Sequence, residues 1–217
     1  DDIKATCVEN NESEITQAGK GAELLVEQLK QKPELGYPMY GKFINTIFRG
    51  ARITKFYLRS AATGVGKTRS MVADACYIGC GQMYDLETRE WLNTGEPQAT
   101  LYIATEQDLS EVQTMMIAFL SAVDEEHILT GNYLEGEWER VMRSTEILRV
   151  GKIYFESLPD FSLQDIENAI KKGIRENDIK YVFHDYIHTS MKILEEITRR
   201  SGGVRLREDN ILFMLST

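Results

Sequence analysis

Between residues 61 and 68 the chain reads Ala-Ala-Thr-Gly-Val-Gly-Lys-Thr. This is the pattern G-x-x-x-x-G-K-[ST] with Ala61 in its first place. Small residues let consecutive backbone N–H groups turn inward around an anion. Gly64 and Gly66 reach φ values that side chains resist. Lys67 brings a point charge for the β- and γ-phosphates of a nucleotide, and Thr68 brings a hydroxyl for Mg²⁺. Alanine is the next smallest side chain after glycine, so Ala61 alters the pattern and not the physics. The flanks fit as well. Arg52 to Ser60 alternates aromatic and β-branched residues, which predicts a strand, and Arg69 to Cys80 has a helix pattern. That helix aims its N-terminal dipole at the same anion. A chance glycine-rich turn has no reason to carry such flanks.

The rest of the chain repeats the alternation. Thr100 to Ala104 predicts a second strand, Lys152 to Phe155 a third, and Ile179 to Phe183 a fourth that ends in His184-Asp185. Leu109 to Val123 predicts an amphipathic helix with Val112, Met115, Met116, Phe119 and Leu120 on one stripe. Gly136 to Arg149 predicts another. Ser162 to Ile174 predicts a third, opened by Ser162 with Asp165 three residues later, a weaker form of the capping box. Strands alternating with helices indicate an open α/β fold, a mostly parallel sheet flanked by helices.

The 217 residues, 42% apolar and 27% charged, suit one folded domain with an added arm. The expected division is 1–35 and 36–217. Residues up to about 18 are polar, and Ala22 to Lys30 predicts a short helix carrying Leu24, Leu25, Val26 and Leu29, stopped by Pro33. That helix fits docking on a neighbouring subunit and packing on its own domain equally. Gly36-Tyr37-Pro38 is turn chemistry. No apolar run is long enough to cross a bilayer. The acidic N-terminus is unlike a signal peptide. Cys7, Cys76 and Cys80 read as reduced thiols of a cytoplasmic protein, and a pair four apart without a second pair or a His is no zinc site. His127 has no ligand set nearby. The net charge of −9 excludes nucleic-acid binding by overall charge, though not by a local basic loop.

A phosphate loop needs an acidic partner for Mg²⁺. Asp185 ends an apolar strand, which places it at the carboxyl edge of the sheet, where open α/β folds bind ligands. Alone, it would read as a cap or turn former; beside the loop, the Mg²⁺ role is favoured. Glu106 follows the second strand in the same way. From spacing alone it fits a carboxylate that activates water and a surface or helix-capping residue equally.

These residues resemble the C-terminal ATPase domain of DnaB-like replicative helicases, in the RecA-like branch of P-loop NTPases, over about Gly36 to Leu215. The resemblance is carried by Gly36-Tyr37-Pro38, Phe48-Arg49-Gly50, the phosphate loop and Ala104-Thr105-Glu106. Gly136-Glu137-Trp138, Lys152 to Phe155, Phe161 to Ile166 and His184-Asp185-Tyr186 add to it. The family commonly has Ala at the position of Ala61. The resemblance implies an ATP- and Mg²⁺-dependent enzyme with Glu106 as the catalytic glutamate and Lys67 as its catalytic partner. Ala62, Thr63, Gly64, Val65, Gly66, Lys67, Thr68 and Arg69 would line the nucleotide, with Thr68 and Asp185 serving the metal. It also implies a homo-oligomeric, hexameric ring, with residues 1–35 supplying the linker helix that docks on the next subunit, and a primase or a helicase loader as partner. His184 stands where the family has an aliphatic residue and His188 where it often has Gln; both read as strand-end or loop packing. A further strand with a polar sensor residue and a basic segment reaching the neighbouring nucleotide are expected beyond Thr217.

Arg199, Arg200, Arg205 and Arg207 make 199–207 the most basic stretch, around Gly202-Gly203. In a RecA-like ring this region faces the channel, where arginines track single-stranded DNA. The alternative is a solvated loop pairing with Glu195, Glu196, Glu208 and Asp209. The function implied is ATP-driven translocation on single-stranded DNA with duplex unwinding in replication. Two other readings stay open: a RecA/KaiC-type ATPase without unwinding, and a nucleotide-binding scaffold without turnover.

Overall fold

The computed structural model describes residues 16–62, 64–186 and 192. The chain divides into two compact units, Asp1–Leu35 and Gly36–Thr217. The first holds helix α1, Ala22–Gln31, none of whose residues is buried. Leu24, Leu25, Val26 and Leu29 are all exposed. Among the described residues no helix is long and apolar enough to cross a membrane.

The second unit is built around strand β3, Thr100–Ala104, every residue of which is buried. It is the middle strand of a parallel sheet in the order β4-β3-β5, with β4 at Ile153–Ser157 and β5 at Tyr181–Asp185. The register sets Ala104 opposite both Ser157 and Asp185, so the three strands end level. A strand covered on both faces must be apolar along its whole length, and Thr-Leu-Tyr-Ile-Ala meets that need. Successive side chains point to opposite faces. Tyr102 and Ala104 pack with Val72 and Cys76 of α3 (Lys67–Gly79) and Val112, Met116 and Leu120 of α4 (Leu109–Ser121). Leu101 and Ile103 pack on the other face with Phe161, Ile166 and Ile179, under α7 (Leu163–Asn177). Met115 and Phe119 complete the expected α4 stripe, partly buried against the first cluster.

Local chemistry sets the helix starts. Ser162 caps α7, and Asp165 returns the bond to the Ser162 N–H at 2.9 Å, a full capping box. Asp108 and Glu111 form a second box at α4. Asp124 caps the short helix α5, Glu125–Thr130. Between α5 and α6 (Glu137–Val150) the buried Glu137 carboxylate accepts from the Leu134 N–H and meets His127 Nδ1, both at 2.8 Å. Burial opposes its ionisation, but those contacts and Arg140 outweigh burial and hold its pKa below the usual carboxylate value.

Besides adding helix α5, which the sequence does not predict, the structure corrects the sequence in four places. Arg52 to Ser60 is not a strand. Thr54 sits at φ 64° in a turn closed by Lys55 N–H to Arg52 C=O, and no ladder joins this segment to β5 among the described residues. Side chains hold it instead. Tyr57 Oη accepts from the Arg52 N–H at 3.1 Å and donates to the Gly50 carbonyl at 3.2 Å. Arg59 reaches α3, donating to the Ser70 carbonyl at 3.0 Å and pairing with the buried Asp74. Gly36-Tyr37-Pro38 is not a turn either, because Tyr37 forms an antiparallel bridge with Ala51. Its glycine is required by close approach: a Cβ on Gly36 would stand 2.5 Å from the Ala51 carbonyl oxygen. A third difference is helix α2, Lys42–Phe48, absent from the sequence reading. The fourth is the antiparallel hairpin of β1 (Gln82–Asp85) and β2 (Glu90–Asn93), also absent from that reading. The hairpin stands against α6 through two guanidinium–ring stacks, Arg140 over Tyr84 at 4.7 Å and Arg143 over Trp91 at 4.5 Å.

Candidate functional site

The phosphate loop leads directly into α3. Gly64 has φ 80° and Gly66, the N-cap residue, has φ 92°. Both lie in the left-handed region that side chains resist. Helix α3 therefore starts at Lys67, two residues earlier than its apolar pattern begins, and presents its unpaired N–H groups toward the loop. Lys67 is half-buried, and its Nζ donates to the carbonyls of Ala61 at 2.7 Å and Ala62 at 3.0 Å. Thr68 is half-buried beside it. Ala62, Gly64 and Val65 are exposed, and Arg69 is exposed and paired with Glu125. Thr63 lies outside the described residues.

A cavity of about 540 Å³ opens between residues 51–61 and the outer edge of β5. Its lining brings together Ala61, Lys67, Asp74, Asp185 and Tyr186. Asp185 is 2% exposed, and Tyr102 Oη donates to its Oδ2 at 2.9 Å. Burial, then the Asp185 charge, pushes the Tyr102 phenol far above its ordinary pKa, so it remains a donor at neutral pH. Thr105, also buried, staples the two strand ends. Its N–H donates to the Asp185 carbonyl at 2.9 Å, and its Oγ1 accepts from the Tyr186 N–H at 3.2 Å. The Asp185-Tyr186 peptide is cis.

Glu106 is exposed one residue beyond Thr105 and accepts a hydrogen bond from Tyr186 Oη at 2.7 Å. It does not cap α4; Asp108 does. The capping alternative for Glu106 therefore drops out, and the surface alternative stays open because the residue is exposed. Spacing gave no sign of Tyr102, Thr105 or Tyr186. Only the register, which sets Tyr102 beside Phe183 and Ala104 beside Asp185, brings their side chains to the two acids. His184 packs edge-on against Phe161, with centroids 5.2 Å apart, in keeping with a packing role. Cys76 and Cys80 are buried and free, and burial pushes the Cys76 thiol well above its ordinary pKa. Arg199, Arg200, Arg205, Arg207 and His188 lie outside the described residues.

A model of the DnaB-like helicase C-terminal domain matches residues 40–205. The chain belongs to the DnaB-like helicase C-terminal domain family. The SPbeta prophage-derived uncharacterized protein YorI of Bacillus subtilis (strain 168) is 40% identical over 215 residues, 99% of this chain and 42% of that protein. The chain thus spans less than half the length of that curated relative. Among solved structures, one described as an ATPase domain superposes with a TM-score of 0.62 at 13% identity, over 91% of this chain and 69% of that one. A DnaB-like replicative helicase, described with its interactions with primase, superposes at 0.66 and 13% identity, over 94% and 48%. At such identity the likeness is one of fold: this DnaB-like domain has the α/β architecture of those two structures.

The donor set fits a nucleoside triphosphate with Mg²⁺. Two positive-φ glycines, a helix N-terminus, an ammonium and a hydroxyl stand together at the loop, and the lysine shares a cavity with a buried aspartate. Among the described residues there is no cluster of three or more His, Cys, Asp or Glu suited to a metal. A metal held mainly by phosphate oxygens needs only one or two protein ligands.

Removing the Tyr102 hydroxyl isolates one part of this arrangement. Tyr102→Phe leaves the buried Asp185 carboxylate without that donor. It is expected to cost about 2 kcal/mol of stability, the usual worth of a hydrogen bond to a charged group. Urea unfolding at pH 7 checks it; a loss below a few tenths of a kcal/mol would show that the bond contributes nothing to stability.

Proposed function

We propose that this domain is the ATPase motor of a DnaB-like helicase that couples ATP hydrolysis to movement on single-stranded DNA and to duplex unwinding. The observation that carries the proposal is the shared cavity of Lys67 and Asp185, with Glu106 linked to its rim through Tyr186. Ala62 to Arg69 cradle the phosphates. Lys67 supplies the charge for the β- and γ-phosphates, and Thr68 and Asp185 would hold Mg²⁺. When bound, Mg²⁺ neutralises charge on the phosphate oxygens. Glu106 accepts the proton of the water that attacks the γ-phosphorus, and ADP leaves.

The finer parts of the proposal follow from the family. The active form is a homo-oligomeric, hexameric ring in the cytoplasm. Residues 1–35 form its arm and linker helix, and residues 36–217 belong to its ATPase domain. The exposed apolar residues of α1 suit docking on a neighbouring subunit. Arg199, Arg200, Arg205 and Arg207 contact the DNA backbone, so affinity falls steeply with salt. A primase or a helicase loader is the expected protein partner.

The test is strand displacement on a forked DNA by the full-length protein with Mg·ATP. Unwinding supports the helicase reading. Hydrolysis without unwinding would favour a RecA/KaiC-type ATPase, and nucleotide binding without hydrolysis would favour a scaffold.

A further inference from the structure

The two acids at the carboxyl edge of the sheet are each held by a tyrosine from the opposite strand. Tyr102 of β3 donates to Asp185 at the end of β5. Tyr186, just past β5, donates to Glu106, just past β3. The two bonds run in opposite directions between β3 and β5, and Thr105 directly precedes Glu106. The buried Thr105 Oγ1 accepts from the Tyr186 N–H at 3.2 Å and has the Asp185 and Tyr186 carbonyls within donating distance at 3.2 and 3.3 Å. The backbone of Tyr186 is thus fixed by the residue that precedes Glu106.

That fixity matters because Glu106 is exposed. A solvated glutamate has three soft torsions and spreads over many rotamers. A donor whose own backbone is clamped selects among them. Orientation of this kind acts on rate, since small misplacements of a reacting group are costly. We propose that Tyr186 is a positioning residue, whose phenol holds the Glu106 carboxylate in the orientation the hydrolysis uses. This rests on the reading of Glu106 as the group that activates water. The phenol is suited to the task. Its hydroxyl stands 2.7 Å from the Glu106 carboxylate, within donating distance, and an ordinary phenol keeps its proton at neutral pH.

The experiment compares the full-length protein with Tyr186→Phe, Glu106→Gln and the double variant. Steady-state ATP turnover, affinity for Mg·ADP by calorimetry and the thermal midpoint are read for each. The expected result is a kcat for Tyr186→Phe lower by about tenfold or more. Mg·ADP affinity and KM stay within twofold, which a general loss of structure would not allow. In the Glu106→Gln background the tyrosine substitution then has no further effect, because the carboxylate it positions is gone. A Tyr186→Phe turnover within twofold of wild type, beside an inactive Glu106→Gln, overturns the inference alone. An undiminished loss in the Glu106→Gln background also overturns it. Full turnover in Glu106→Gln overturns the reading of Glu106, and this inference with it.

Discussion

Lys67→Ala is expected to weaken Mg·ATP binding by about a hundredfold or more, on the order of 3 kcal/mol. The ammonium faces Ala61 and Ala62 in the loop itself, at the head of α3, and it lines the same cavity as Asp185. A polyphosphate there would meet two sources of positive potential, the α3 N-terminus and Lys67. The helix terminus is worth less than a full charge, so the lysine dominates. Its loss also removes two hydrogen bonds to loop carbonyls, so the thermal midpoint of the variant must be recorded beside its affinity. Calorimetry decides between outcomes. Tight binding by the variant would separate nucleotide recognition from this loop. Lost binding with an unchanged midpoint would assign recognition to the lysine.

Much of the architecture was legible because local and long-range chemistry agree. Thr100–Ala104 reads as a strand, and it lies buried in the middle of the sheet. Ser162 with Asp165 reads as a helix start and forms a full capping box. The hairpin leaves little trace in the sequence because its strands are four residues each and its loop carries no Asn-Gly or Asp-Gly pair. Its turn signal is Asp85, whose carboxylate accepts from the Glu87 and Thr88 N–H groups. The strand expected at 52–60 has the right alternation, yet alternation reports which residues seek burial, not which edge they pair with. Ile53, Phe56 and Leu58 remain more than half exposed.

The candidate site was legible where chemistry runs along the chain and illegible where it runs across it. The loop from Ala61 to Thr68 is one contiguous segment, and Gly64 and Gly66 have the positive φ that the pattern required. Asp185 and Glu106 were expected as strand-end acids, but the contacts that orient them join residues about 80 apart in sequence: the Tyr102–Asp185 pair is separated by 83 positions and the Tyr186–Glu106 pair by 80. No spacing rule spans such intervals. A parallel register does, once the order of strands is known.

Arg59→Ala is expected to destabilise the fold by about 3 kcal/mol at pH 7, the lower end of the range for breaking a buried ion pair from one side. Asp74 is 2% exposed while Arg59 keeps 25% exposure, so water already screens the pair in part. Besides the guanidinium, Asp74 accepts from the Tyr40 N–H at 2.9 Å. Burial nevertheless outweighs both partners and raises the Asp74 pKa above its ordinary value. The sign of the pH dependence follows. A carboxyl whose folded pKa is raised adds stability that is full below its unfolded pKa and is lost as pH rises through the folded value. Without Arg59 the pKa moves higher still. The deficit of Arg59→Ala should therefore be largest at neutral pH and shrink as the medium is acidified and Asp74 protonates. Asp74→Asn in the Arg59→Ala background should recover part of the loss, since it keeps an acceptor for Tyr40 without a charge. Urea unfolding of the wild type and the two variants from pH 5 to 8 measures this. A deficit that is independent of pH, or undiminished in the double variant, would mean that Arg59 acts through its Ser70 contacts and its packing, not through the Asp74 charge.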